Sequence, residues 1–116
     1  PRALSLLEDA LEEAPDDPRV ALLNGMTRFN APRAFGGGPA KAEAELRRAL
    51  RLFESDRSSS PRPTWGKVDA HIWLAQALHA QGKDAEARAE FERALALAPG
   101  HRWIVEQLLP ALERGR

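Results

Sequence analysis

Cysteine and tyrosine are both absent from this 116-residue chain, and neither sign of charge predominates. Without cysteine there is no disulfide, no thiolate nucleophile and no thiolate metal ligand, which leaves the cytosol and the bacterial periplasm both open as compartments. The 17 Lys and Arg residues balance the 17 Asp and Glu residues, so the basic surface that proteins use against nucleic-acid phosphates is not expected. Nucleic acid is therefore not an expected partner.

Long apolar runs are missing as well. No stretch approaches the roughly 18 apolar residues of a membrane-spanning helix, so we expect no membrane insertion from this chain. The length suits a single domain. Because Pro1 and the residues after it already follow a helical pattern, we expect the chain to be part of a longer protein.

A small–large–small pattern recurs along the chain. In its clearest copy Ala87, Phe91 and Ala94 lie four and three residues apart, which puts them on one face of a helix. Small residues beside a large one let a neighbouring helix approach closely, so this face predicts a packing surface. Two further copies, with their terminating residues, are Ala3, Leu7, Ala10, Pro15 and Ala42, Leu46, Ala49, Glu54. Three copies indicate a repeat protein.

The pattern resembles the tetratricopeptide repeat family, whose first helix carries an aromatic, Leu-Gly and Tyr and whose second helix carries Ala, Phe and Pro. The residues of 68–101 that take these places are His71, Leu74, Ala75, Leu78, Ala87, Phe91, Ala94 and Pro99. An earlier copy keeps Gly25 but has Asn24 where the family usually has leucine. The resemblance implies an all-α fold, in which antiparallel helix hairpins stack as a right-handed superhelix.

Proline, glycine and capping residues divide the chain into six predicted helices. Their ranges are 3–14, 18–30, 39–54, 67–81, 84–98 and 101 onward. Asp17 and Asp84 are predicted N-caps, and Pro110 is predicted to kink or end the last helix near Leu109. The single domain 1–116 then comprises a partial repeat 1–16, a repeat with insertions 18–56, an inserted linker 55–67, a repeat 68–101 and a capping or next-repeat helix 102–116.

Two loops depart from the plain repeat. Residues 30–39, with three consecutive glycines, resemble an insertion seen in a subset of bacterial proteins of this family. Pro32 is expected to set the turn and Phe35 to fold back over the end of the hairpin, while a phosphate-binding loop is excluded because no Gly-Lys-Ser/Thr follows. In the second loop, rich in serine and proline, Trp65 is expected to act as a lid.

No catalytic or metal-binding pattern is legible in the sequence. His71 and His79 are about two helical turns apart, whereas a helical zinc pair needs one turn, and His101 is distant in sequence. The serines near residues 55–60 suit a linker better than a nucleophile. We therefore expect a protein that is not an enzyme and holds no metal or cofactor, with all three histidines in packing or surface positions.

The resemblance also implies where a partner binds, because in this family the first helix of each hairpin lines the concave side of the stack. The matching positions are Arg19, Leu22, Met26, Phe29, Asp69, Ile72, Gln76 and His79. Four of them, Leu22, Met26, Phe29 and Ile72, define an apolar strip suited to the side chains of a peptide. The alternative is that inserted loops or neighbouring helices cover this strip. Family members that bind acidic chaperone tails use Lys, Arg and Asn here, so that partner is not expected.

The leading interpretation is a scaffold that binds a protein or peptide in this groove. One alternative is an accessory or regulatory segment of a larger enzyme, which catalytic motifs elsewhere in the full-length sequence would reveal. Another is self-association as a homo-oligomer through incomplete repeat ends, since the first hairpin lacks a partner helix. The abundance of Ala, Arg and Pro suggests a GC-rich bacterial source.

Overall fold

A computed structural model describes residues 16–55 and 64–114, with the side chains of Thr64 and Trp65 left out. The helices are α1 Pro18–Asn30, α2 Pro39–Ser55, α3 Thr64–Ala80, α4 Asp84–Leu97 and α5 Leu109–Arg114. A 3-10 turn, Arg33–Phe35, lies between α1 and α2, and a π-helical segment, Ile104–Leu108, precedes α5. The described ranges contain no strand, so the all-α prediction is confirmed. The predicted helix 3–14, residues 56–63 of the predicted linker 55–67 and the expected Trp65 lid lie outside the described structure.

Helix α1 begins and ends where the sequence predicts. The Asp17 side chain accepts a hydrogen bond from the Arg19 backbone N–H at 2.9 Å, and Pro18 occupies a first-turn position whose N–H would have no intrahelical partner. The helix stops at Asn30 because Ala31, which precedes Pro32, adopts an extended conformation. No helix of the described residues is long and apolar enough to cross a membrane.

The turn between α3 and α4 closes on Gly82, as predicted, but Asp84 is not the N-cap. Gly82 has a φ of 79°, and the Lys83 N–H donates to the Leu78 carbonyl at 2.9 Å. Asp84 is the first residue of α4, and its carboxylate lies 2.8 Å from Nδ1 of His79. The N-cap prediction for Asp84 is wrong because α4 already includes Asp84 and Lys83 takes the N-cap position. The carboxylate still lies in the first turn, where the helix dipole favours a negative charge.

Pro110 changes the last helix without ending it. Since proline has no N–H, the usual hydrogen bond to the carbonyl four residues earlier is missing. The turn before it widens instead, and the Leu109 N–H donates to the Ile104 carbonyl, five residues back. The predicted disturbance near Leu109 is therefore present as a π-helical segment, and α5 continues beyond it.

The core lies between two hairpins, α1–α2 and α3–α4, with α2 packed on α3. Both predicted packing surfaces within the described residues are buried, and their large members are Leu46 and Phe91. Gly25 lets α1 approach α2 closely, because a Cβ at this position would lie 2.5 Å from Leu46 Cγ. The small–large–small pattern thus holds the second helix of each hairpin against its first helix.

The loop 31–38 differs from the prediction in one respect. Its 3-10 turn is closed by hydrogen bonds from Gly37 N–H to the Pro32 carbonyl at 3.1 Å and from Gly38 N–H to the Arg28 carbonyl at 2.8 Å. Phe35 does not fold back over the hairpin, since 58% of it is exposed. The backbone hydrogen bonds and the Arg28 side chain close this turn, so an aromatic ring is not needed to fill it.

Glu43 joins α2 to the turn between α3 and α4. Its carboxylate accepts hydrogen bonds from Arg47 Nε at 2.9 Å, Gln81 Nε2 at 2.9 Å and Lys83 Nζ at 3.1 Å. Burial by itself raises the pKa of Glu43, but these three donors outweigh it and lower the pKa from 4.5 to about 2. The ionised carboxylate is therefore favoured by the fold.

The depressed pKa of Glu43 predicts a loss of stability in acid. Because the folded pKa lies below the unfolded value, the contribution of Glu43 is complete above pH 4.5 and disappears as the pH falls toward about 2. We expect the melting temperature of the wild type to fall more steeply across this window than that of Glu43→Gln. Thermal melts of both proteins would measure this, and parallel curves would show that Glu43 does not contribute to the acid sensitivity.

Candidate functional site

An aromatic contact joins the first helices of the two hairpins. The rings of Phe29 on α1 and Trp73 on α3 have centroids 5.7 Å apart and are inclined at 73°, an edge-to-face arrangement. Both residues are partly buried against the core and keep part of their surface exposed, as does Met26 one turn before Phe29. Residues from separate hairpins therefore form one continuous apolar surface.

Two members of the predicted apolar strip lie in the core. Ile72 is 1% exposed and Leu22 is 9% exposed, and both belong to the same buried cluster. The prediction that they face a partner is therefore wrong for this structure, because side chains of the chain itself cover them. Met26 and Phe29 are the half of the strip that remains partly exposed.

Two predicted groove residues make local contacts. The Arg19 guanidinium lies 5.9 Å from the centre of the Phe53 ring of α2 and 3.8 Å from the Asp17 carboxylate. His79 Nδ1 lies 2.8 Å from Asp84 of α4. Both side chains support the hairpin ends and are engaged before any partner arrives.

Polar groups accompany the aromatic pair on α3. Asp69, Trp73 and Gln76 are four and three residues apart, so they share one helix face. The amide nitrogen of Gln76 is buried and has no hydrogen-bond partner within the described structure, which is unfavourable for a donor removed from water. Burial raises the pKa of Asp69, and the nearby His101 partly offsets this. We call the surface of Met26, Phe29, Asp69, Trp73 and Gln76 the first-helix face.

Sequence reasoning missed Trp73, although it selected its neighbour Ile72. Adjacent residues on a helix point about 100° apart, so an error of one position exchanges a buried side chain for a partly exposed one. A usable signal was present, because Trp73 is a large aromatic residue within four residues of both Asp69 and Gln76.

The remaining buried polar pair lies between α3 and α4. His71 Nδ1 is 2.7 Å from Glu90 Oε1, and Arg93 donates to the other oxygen of Glu90. Burial raises the pKa of Glu90, but the hydrogen bonds from His71 and Arg93 outweigh this and lower it overall. The pair is part of the lining of an open depression of about 370 Å³. Among the described residues, no three His, Asp or Glu side chains are grouped so as to hold a metal ion.

Residues 68–101, which cover most of α3, the Gly82 turn, α4 and the four residues after it, match the tetratricopeptide repeat family model. The chain contains a tetratricopeptide repeat. The matched segment is the repeat predicted from the sequence, and repeats of this family generally mediate protein–protein interactions and are typically non-catalytic. No curated protein and no solved structure matches the chain.

Proposed function

We propose that this protein binds a peptide segment of a partner protein along the first-helix face, on the concave side of the repeat stack. The observation that carries the proposal is the contact between Phe29 and Trp73, which joins the two hairpins while leaving both rings partly exposed. A surface shared by consecutive repeats is suited to an extended ligand, because each repeat contributes one set of contacts.

The chemistry of the first-helix face fits a peptide with an apolar side chain. Met26 is flexible and polarisable, so it adapts to side chains of different shape beside the two aromatic rings. Gln76 has an amide N–H without a partner, and rotation of its side chain would offer this donor to a backbone carbonyl of the peptide. The apolar contacts then provide affinity, and the amide fixes the position of the peptide backbone.

A selected peptide tests the proposal even though the natural partner is not identified. Peptides are selected from a random phage-displayed library against the wild-type protein, resynthesised with a fluorophore and titrated by fluorescence anisotropy. We expect Met26→Asp to weaken binding by at least about 10-fold, because the new carboxylate must be desolvated without a partner. Gln76→Met, which keeps the shape but removes the amide, should weaken binding by about 2- to 10-fold.

Glu92→Gln, on the exposed surface of α4, is the matched control and should bind like the wild type. Melting curves of every variant separate lost binding from lost folding. If Met26→Asp and Gln76→Met are folded and bind every selected peptide with wild-type affinity, the first-helix face is not the binding site.

A further inference from the structure

The loop between α1 and α2 is held in one conformation by a side chain from the preceding helix. Arg28 Nη1 donates to the Gly36 carbonyl at 2.8 Å, and Arg28 Nε donates to Oδ1 of the buried Asn24 at 3.2 Å. The guanidinium therefore connects the interior of the hairpin to the tip of the loop. Charge-assisted hydrogen bonds of this kind are stronger than those between neutral groups.

The same loop conformation also requires glycine at three positions. Gly36 and Gly38 have φ values of 78° and 112°, which residues other than glycine rarely adopt. A Cβ on Gly37 would lie 2.2 Å from the Ala31 carbonyl oxygen. Any other residue at these positions would displace the backbone that carries Phe35.

This hydrogen-bonded loop presents an aromatic ring to solvent. Phe35 is 58% exposed, which is the largest exposure of any large hydrophobic side chain in the described ranges. An exposed ring contributes little to the fold by burial, so its surface is available to a partner. Holding a side chain in place before association reduces the conformational entropy lost on binding, and aromatic side chains are common among the residues that dominate binding energy.

The charged residues nearest to Phe35 in sequence are basic. Between Pro18 and Ala42 the sequence has four basic residues and no acidic one. Arg19 and Arg28 are engaged with Phe53 and Gly36, whereas Arg33 and Lys41 are exposed and make no hydrogen bond or ion pair within the described structure. The complementary surface would be an apolar pocket with acidic residues at its rim.

We propose that Phe35 is a preorganised anchor that inserts into an acidic-rimmed apolar pocket of a partner protein, with Arg33 and Lys41 contacting the rim. A lipid surface is the weaker fit, because one aromatic ring and two cations supply less than the combined signals that stable membrane anchoring needs. This surface lies at the turn of the α1–α2 hairpin and uses no residue of the first-helix face. The test of the Phe35 anchor is therefore independent of whether a peptide binds the first-helix face.

Photocrosslinking in cells can identify the occupant of this surface. The full-length protein is expressed with p-benzoyl-phenylalanine in place of Phe35, and in a parallel strain in place of Leu23, an exposed apolar residue of α1. We expect a discrete protein adduct from position 35 and not from position 23. The crosslinked protein is then purified and becomes the probe for affinity measurements with the wild type and its variants.

Two substitutions separate the ring from its preorganisation. Phe35→Ala should reduce affinity for the crosslinked protein by about 30-fold or more, the scale of a dominant interface residue. Arg28→Met keeps the ring but frees the Gly36 carbonyl, and we expect a loss of about 10-fold with an unchanged contact surface. Leu23→Ala should bind like the wild type. Simultaneous Arg33→Ala and Lys41→Ala should slow association and weaken its dependence on salt.

Three results would overturn the anchor proposal. Wild-type affinity of Phe35→Ala would show that the ring does not contribute to binding. Binding to vesicles of anionic phospholipid that requires Phe35, without a protein adduct, would assign the ring to a membrane surface. A large fall in the melting temperature of Phe35→Ala would show that the ring stabilises the fold instead.

Discussion

Replacing Phe91 with alanine will lower the free energy of unfolding by about 3–5 kcal/mol, the usual cost of removing a buried phenylalanine. Phe91 is 2% exposed and lies between Ala87 and Ala94 along one buried face of α4. The methyl groups of these alanines are too short to move into the space left by the ring, so a cavity remains. Chemical denaturation monitored by circular dichroism measures this loss, with an accompanying fall in melting temperature on the order of 10–20 °C.

The chain offers a matched control for this substitution. Phe35→Ala removes the same atoms from an exposed site, so the free energy of unfolding should change by less than about 0.5 kcal/mol. The difference between the two variants then reports burial alone. A melting temperature of Phe91→Ala close to that of the wild type would mean that α4 does not pack through the Ala87–Ala94 face.

Most helix boundaries could be predicted because short-range effects set them, although α3 begins at Thr64, three residues before the predicted start at 67. Pro18 and the extended residue before Pro32 fix the two ends of α1, and Gly82 alone reverses the chain after α3. The hairpin packing was equally accessible, since spacings of three and four place Leu46 and Phe91 on a buried face whatever lies opposite. These features do not depend on distant side chains.

The first-helix face was only partly predictable because it depends on how closely neighbouring hairpins approach each other. Helical spacing assigns Met26 and Ile72 to the same predicted strip, but only Ile72 is fully covered by the rest of the chain. Which residues of a helix remain exposed depends on how much of its circumference the neighbouring helices cover. Sequence periodicity does not reveal how much they cover. The pairing of Phe29 with Trp73 is a contact between hairpins and had no local signal.

The loop 31–38 shows a second limit. Proline and three glycines correctly predicted a turn, because they restrict or release the backbone directly. The direction of the Phe35 ring depends instead on the hydrogen bond from Arg28 to Gly36, which spans eight residues. The contact of the Asp84 carboxylate with His79, at 2.8 Å, was likewise not predicted.

Replacing Ile72 with aspartate will destabilise the fold by at least about 4 kcal/mol, because it removes a core side chain and introduces a charge without a partner. Ile72 is 1% exposed and belongs to the buried apolar cluster of the core. Met26→Asp, at a partly exposed position of α1, should be tolerated much better. Denaturant titrations of both variants measure the contrast.

The pH dependence of Ile72→Asp provides the stronger test. In an apolar site the aspartate keeps its proton more readily, so its pKa in the folded state rises above the unfolded value of about 3.9. The fold tolerates the neutral aspartic acid better than the charged aspartate. The loss of stability relative to the wild type is therefore smaller near pH 4 and grows as the pH rises. Asparagine is similar in shape to aspartate but does not titrate, so the loss of stability in Ile72→Asn should stay constant over the same pH range. If the loss of stability in Ile72→Asp were the same at all pH values, or if this variant were about as stable as Met26→Asp, residue 72 would face solvent. Ile72 would then belong to the groove predicted from the sequence.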